Sequence, residues 1–245
     1  MLSLLTDPET FFEERELGLV GPLLVVAAVM GLAFVAGVGG VVVAVDMAPY
    51  TTPEDPMGPG ADDPFAPDGQ DPAEAQPIDP GDMAAFMAVF GGIGLVLGLV
   101  WLALVFLFYA GSFYGLTAVF DGEGSFADTL AVVGWGFAPK ILAEAVGVVA
   151  AVYTGIVWMM SERPAQGEMV DPIIGPVGTF FLGLVTIGAL FWSAYIWYFG
   201  IKKVRNVDAT GAAVSVGLPV FVAFVFNLVA LVLSVIGAAG AGGAA

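Results

Sequence analysis

The sequence contains no cysteine and no histidine. Without cysteine there can be no disulfide, thiolate metal site or thiol nucleophile. Without histidine, imidazole-based proton transfer and the usual zinc sites are excluded as well. Bases are scarce: 6 Lys and Arg stand against 23 Asp and Glu, for a formal net charge of −17. So few bases cannot build a polybasic patch for nucleic acid or for anionic lipid. Charge of both signs together reaches only 12% of residues, about half the share of an ordinary soluble domain. The acidity suits a chain bathed in concentrated salt, where screening acts within about 3 Å, and a salt-loving microbial source is expected.

What the chain has in excess is apolar residues, 59% of 245, gathered into runs free of Asp, Glu, Lys and Arg. Such runs cover Gly18–Val45, Met83–Phe120, Pro172–Ile201 and Ala209 to the C-terminus. A bilayer core about 30 Å thick is crossed by about 20 helical residues. The expected fold is therefore all-α, a polytopic membrane bundle of five transmembrane helices with short interfacial helices.

In chain order, residues 1–18 are expected to form an interfacial helix rather than a signal peptide, since the first charges are acidic. Asp7 is placed to cap it, with Pro8 at its first position and Phe11 and Phe12 as apolar anchors. The first span lies within 19–45. Residues 46–82 follow, with ten acids, nine prolines and no base, and are expected to be an acidic, Pro-rich, disordered loop. Their acids lack the alternating order of a calcium loop. The second span lies within 83–110, where Gly94 and Gly98 suggest helix packing.

Residues 111–139 are expected to be a glycine-punctuated turn followed by a short interfacial or re-entrant helix, ended by Pro139. The third span is then 140–160. Lys140 sits at its boundary, and Glu144 lies one turn on as an i,i+4 partner. After a loop at 161–172, the fourth span (173–201) carries a stripe of Thr179, Gly183, Thr186 and Ser193. It ends in an aromatic belt of Trp192, Tyr195, Trp197 and Tyr198. A basic loop (202–211), the fifth span (212–237) and a glycine-alanine tail (238–245) complete the chain. A cytoplasmic N-terminus puts Arg15, Lys140, Lys202, Lys203 and Arg205 on the inner side and only Arg163 outside, which obeys the positive-inside rule. The acidic loop and the C-terminus then face out.

Three features together resemble the Yip domain family of small multi-span membrane proteins. They are Asp7-Pro8-x-x-Phe11-Phe12, Gly124-Ser125-Phe126, and Gly134-Trp135-x-x-x-Pro139, where family members show Gly-Tyr-x-x-x-Pro. The resemblance implies a five-span layout over most of the chain. Eukaryotic members work with small Rab-type GTPases. The Asp-Leu-Tyr-Gly-Pro signature of those members is missing here and the segment before the first span is short, which speaks against a GTPase partner.

No catalytic constellation, cofactor motif or metal-ligand set is legible. The expected role is a non-enzymatic membrane scaffold or adaptor. It would meet the lipid bilayer, a membrane-protein partner or further copies of itself, and no nucleic acid. The motif residues Asp7, Pro8, Phe11, Phe12, Gly134, Trp135, Pro139, Lys140 and Glu144 are its candidate interaction or structural positions. The alternative is a solute or ion transporter, or a subunit of one, that uses Lys140 and Glu144, the only candidate ionisable pair in a span.

Overall fold

The structure, a computed structural model, describes residues 2–14, 18–51, 80–160 and 176–242. Arg15, Arg163, most of the acidic loop, the loop after the third span and the last three residues lie outside the described residues. Among the described residues eight helices follow one another: α1 (Leu2–Thr6), α2 (Pro8–Glu14), α3 (Val20–Thr51), α4 (Pro80–Ala118), α5 (Phe126–Gly136), α6 (Ala138–Met160), α7 (Pro176–Val204) and α8 (Ala209–Gly242). There is no strand among the described residues. Among the described residues five segments are long and apolar enough to cross a membrane, α5 and α6 counting together as one. The protein is a helical multi-pass membrane protein.

Local chemistry sets the helix ends. Asp7 caps α2, accepting from Thr10 N at 3.3 Å and from Thr10 Oγ1 at 2.7 Å. Ser125 and Asp128 form a reciprocal capping box at the start of α5, worth about 1 kcal/mol. α5 stops at Phe137, and Pro139 falls in the first turn of α6, where its missing N–H has no intrahelical partner to lose. The Lys140 amide bonds back to Phe137 O at 2.9 Å.

The core is gathered at one end of the bundle. Among the residues whose burial is described, those buried in α3 lie between Pro22 and Val29, and those buried in α4 lie from Phe106 onward. Those of α7 start at Ala189, and those of α8 fall before Phe221 apart from Leu231. α1, α2 and α5 pack at this same end, tied by Trp192 Nε1 donating to Leu5 O at 3.0 Å and by a Glu9–Lys202 ion pair. Toward the other end, α4 and α8 expose Phe90, Trp101, Phe226 and Leu233, side chains suited to lipid.

Several sequence expectations change here. α4 does not give way to a turn at Gly111 but continues through Ala118, because Phe113 and Thr117 are needed in the core, both fully buried. Packing overrides the weak helix propensity of Gly111 and Gly115. α5 does not lie along a surface. Six of its residues are buried, and it wedges between α3, α4 and α7. Trp197 is no belt residue: it is 1% exposed, stacked on Tyr109 at 4.7 Å and donating to Val133 O at 3.0 Å. Trp192 and Tyr195 do remain part-exposed, at 39% and 48%. The α7 stripe divides: Gly183 packs on Leu231 and Ser193 is buried, whereas Thr186 is exposed. Gly94 and Gly98 face open space rather than a neighbouring helix of the chain.

Candidate functional site

The capped end is held first by small residues that let rings approach backbone. Phe11 meets Phe12 and Trp135 edge-on, with ring centroids 5.3 Å apart in each case. Such pairs contribute about 0.5–1.5 kcal/mol each beyond burial. Gly21 accommodates the Trp135 indole, since a Cβ there would lie 2.5 Å from Cζ2. Gly134 lies against Pro22, Gly136 against the Trp197 indole, and Gly200 against Val132 and Phe12. Phe11, Phe12, Gly134 and Trp135, far apart in sequence, thus form one packed cluster joining α2, α3 and α5. Asp7 and Pro8 serve it indirectly by starting α2.

Beside this cluster sits Arg205, 2% exposed although it carries a permanent charge. Its Nε donates to Thr117 Oγ1 at 2.9 Å, its Nη2 to Gly122 O at 2.9 Å, and its Nη1 to Gly124 O. The guanidinium carbon lies 4.3 Å from the centroid of the Tyr114 ring. No carboxylate pairs with it among the described residues. Carbonyl dipoles, one hydroxyl and an aromatic face together replace the water that the charge has lost. The main chain closes the arrangement, with Glu123 N donating to Arg205 O at 2.8 Å. Gly124 has φ +90°, and a Cβ there would strike Val204 O. The α4–α5 connection is thereby stapled to the α7–α8 turn.

Sequence reasoning placed Arg205 in an exposed basic loop and missed it, along with Thr117 and Tyr114. The available hint is that Lys202 and Lys203 are followed by Arg, the base whose planar fork suits several carbonyls at once.

Next to the staple, a cleft of about 490 Å³ opens at the surface of this end. Glu9 and Glu13 of α2, Glu123 and Gly124, Phe199, Lys202 and Lys203 of α7, and Asn206 line it. Glu9 holds Lys202 at 3.7 Å with both side chains about half exposed, so this pair is worth under about 1 kcal/mol. Asn206 Nδ2 reaches Glu123 Oε2 at 3.5 Å. Glu13 and Lys203 form no ion pair among the described residues.

The remaining motif residues lie apart from the cluster. Pro139, Lys140 and Glu144 occupy the first turns of α6. Lys140 and Glu144 are half-buried and do not form the expected direct ion pair. The outward face of α6 is Leu142, Val146, Val149, Val152, Tyr153 and Ile156, so Lys140 and Glu144 turn toward the bundle. Further along, Thr154 Oγ1 is buried without a hydrogen-bond partner. Among the described residues no three acidic side chains converge as metal ligands.

No curated protein and no solved structure matches the chain. A family model, the Yip1 domain, matches residues 2–231, which takes in α1 through α7 and most of α8. With the match covering nearly the whole chain, this protein belongs to the Yip1 domain family.

Proposed function

We propose that the protein is a non-enzymatic membrane scaffold or adaptor that presents its capped end to the cytoplasm. The observation carrying this reading is the concentration of packing and polar structure at that end: the aromatic–glycine cluster, the buried Arg205 staple and the cleft. A densely packed, folded face suits contact-making. The positive-inside rule supports the orientation, with Lys202, Lys203 and Arg205 all at this end.

The test places photo-crosslinking side chains at the exposed positions Glu14, Asp121 and Asp208, and a control at the outward Val96 of α4, in native membranes. A shared discrete adduct from the three end-face positions, absent from Val96, supports an adaptor. No adduct from any end-face position overturns it.

A second reading, transport, rests on the inward stripe of α6: Lys140, Glu144 and the partnerless Thr154 hydroxyl. Under it, Lys140→Ala or Glu144→Ala abolishes solute flux in proteoliposomes while expression is kept. Under the scaffold reading the same changes have little effect beyond local stability.

A further inference from the structure

We propose that the cleft between α2, the α4–α5 connection and the end of α7 binds a zwitterionic ammonium–phosphate group, such as the ethanolamine phospholipid headgroup. The cleft is lined by both signs of charge, drawn from different elements. Glu9 and Glu13 come from α2, Glu123 from the connection, and Lys202 and Lys203 from α7. Glu9 and Lys202 engage each other, which leaves Lys203 and Glu13 without an ion pair among the described residues, and Glu123 with only a long contact to Asn206, to meet a ligand. A simple anion entering here meets three carboxylates, and a simple cation meets two ammonium groups. A group bearing both charges places its phosphate at Lys203 and its ammonium between Glu13 and Glu123. Phe199 offers an apolar surface to the methylenes between them.

Depth in the membrane points the same way. Trp192 and Tyr195, part-exposed on α7, mark an aromatic level of the kind found at membrane–water interfaces. Lys203 lies beyond Tyr195 by about 12 Å of helix rise, on the water side of that level. The volume, about 490 Å³, lies within the roughly 300–1,000 Å³ common for small-molecule sites. Arg205 takes no part, because it is buried and turned to Thr117, Gly122 and Gly124 instead. The inference stands independently of the adaptor reading, since a lipid or solute in the cleft needs no protein partner.

The experiment titrates the full chain, delipidated in mild detergent, and follows it by native mass spectrometry. The probes are dioleoyl phosphatidylethanolamine, dioleoyl phosphatidylglycerol, a dioleoyl trimethylammonium lipid and water-soluble glycerophosphoethanolamine. The expected result is one phosphatidylethanolamine per chain, held about tenfold tighter than either singly charged lipid, the worth of about one charge-assisted contact. Glu13→Gln and Lys203→Gln, both at exposed positions, each weaken it several-fold, and Lys203→Arg restores binding. Equal competition by glycerophosphoethanolamine identifies a free solute as the source, and retention of the lipid alone identifies the bilayer; both support the ammonium–phosphate chemistry. Equal binding of all three lipids, or wild-type affinity in both Gln variants, overturns it.

Discussion

Replacing Arg205 with Ala tests whether this side chain is a buried staple or a snorkelling base at a span's end. The side chain is 2% exposed and makes three hydrogen bonds from a charged donor. Its removal strands no opposite charge among the described residues, only one hydroxyl and two carbonyls, and hydrogen bonds to a charged group contribute about 1.5–3 kcal/mol each. The lower end applies here, because the carbonyls of half-buried Gly122 and exposed Gly124 rehydrate once the guanidinium is gone. The Thr117 hydroxyl also keeps its own bond to Phe113 O at 2.7 Å. A loss of about 3 kcal/mol corresponds to a fall of roughly 6–12 °C in Tm for a chain of this size. Arg205→Lys keeps the charge, but its single nitrogen cannot reach Thr117, Gly122 and Gly124 together, so about half of that fall remains. Lys203→Ala, two residues away and exposed, shifts Tm by no more than about 2 °C, as surface changes do. Thermal unfolding of the detergent-purified chain, followed by tryptophan fluorescence and by monodispersity on size exclusion, reads all three. If Arg205→Ala melts within about 2 °C of the parent, the staple is not a stabilising element and the reasoning fails.

The other predictions concern glycine contacts, a cap and orientation. Gly136→Ala drives a methyl into the Trp197 indole and lowers stability by about 1–3 kcal/mol. Gly98→Ala enters open space and leaves the melting temperature unchanged or slightly raised, since alanine favours helix by up to about 1 kcal/mol; equal losses at the two sites refute the packing assignment. Ser125→Ala removes the side-chain half of the α5 capping box, while the residue-125 amide still donates to Asp128, and costs about 1 kcal/mol, read as a drop of about 2–4 °C. A reporter inserted between residues 55 and 75 behaves as external, and cytoplasmic behaviour there reverses the proposed topology.

Membrane residence, an all-helical bundle and five crossings were legible because they rest on long-range composition. A charge-free run of some twenty residues has few alternatives to a span, whatever its neighbours do. The start of α2 was legible too, since Asp7-Pro8 acts through bonds within one turn. The family motifs were readable as three separate patterns, and nothing in them said that Phe11, Phe12, Gly134 and Trp135 meet.

Only the tertiary structure decided that Gly134 is small because Pro22 abuts it and that Gly136 is small because Trp197 does. It also moved Trp197 from the lipid boundary into the core, and carried α4 past Gly111 to deliver Phe113, Tyr114 and Thr117. Arg205 is the sharpest case. In sequence it is the last of three bases after a span and reads as solvated charge. In the fold it is buried among carbonyls of a loop more than eighty residues earlier. Hydropathy is a sum over neighbours in the chain and sets which segments enter lipid. The environment of a single charge depends on groups brought close only when those segments pack.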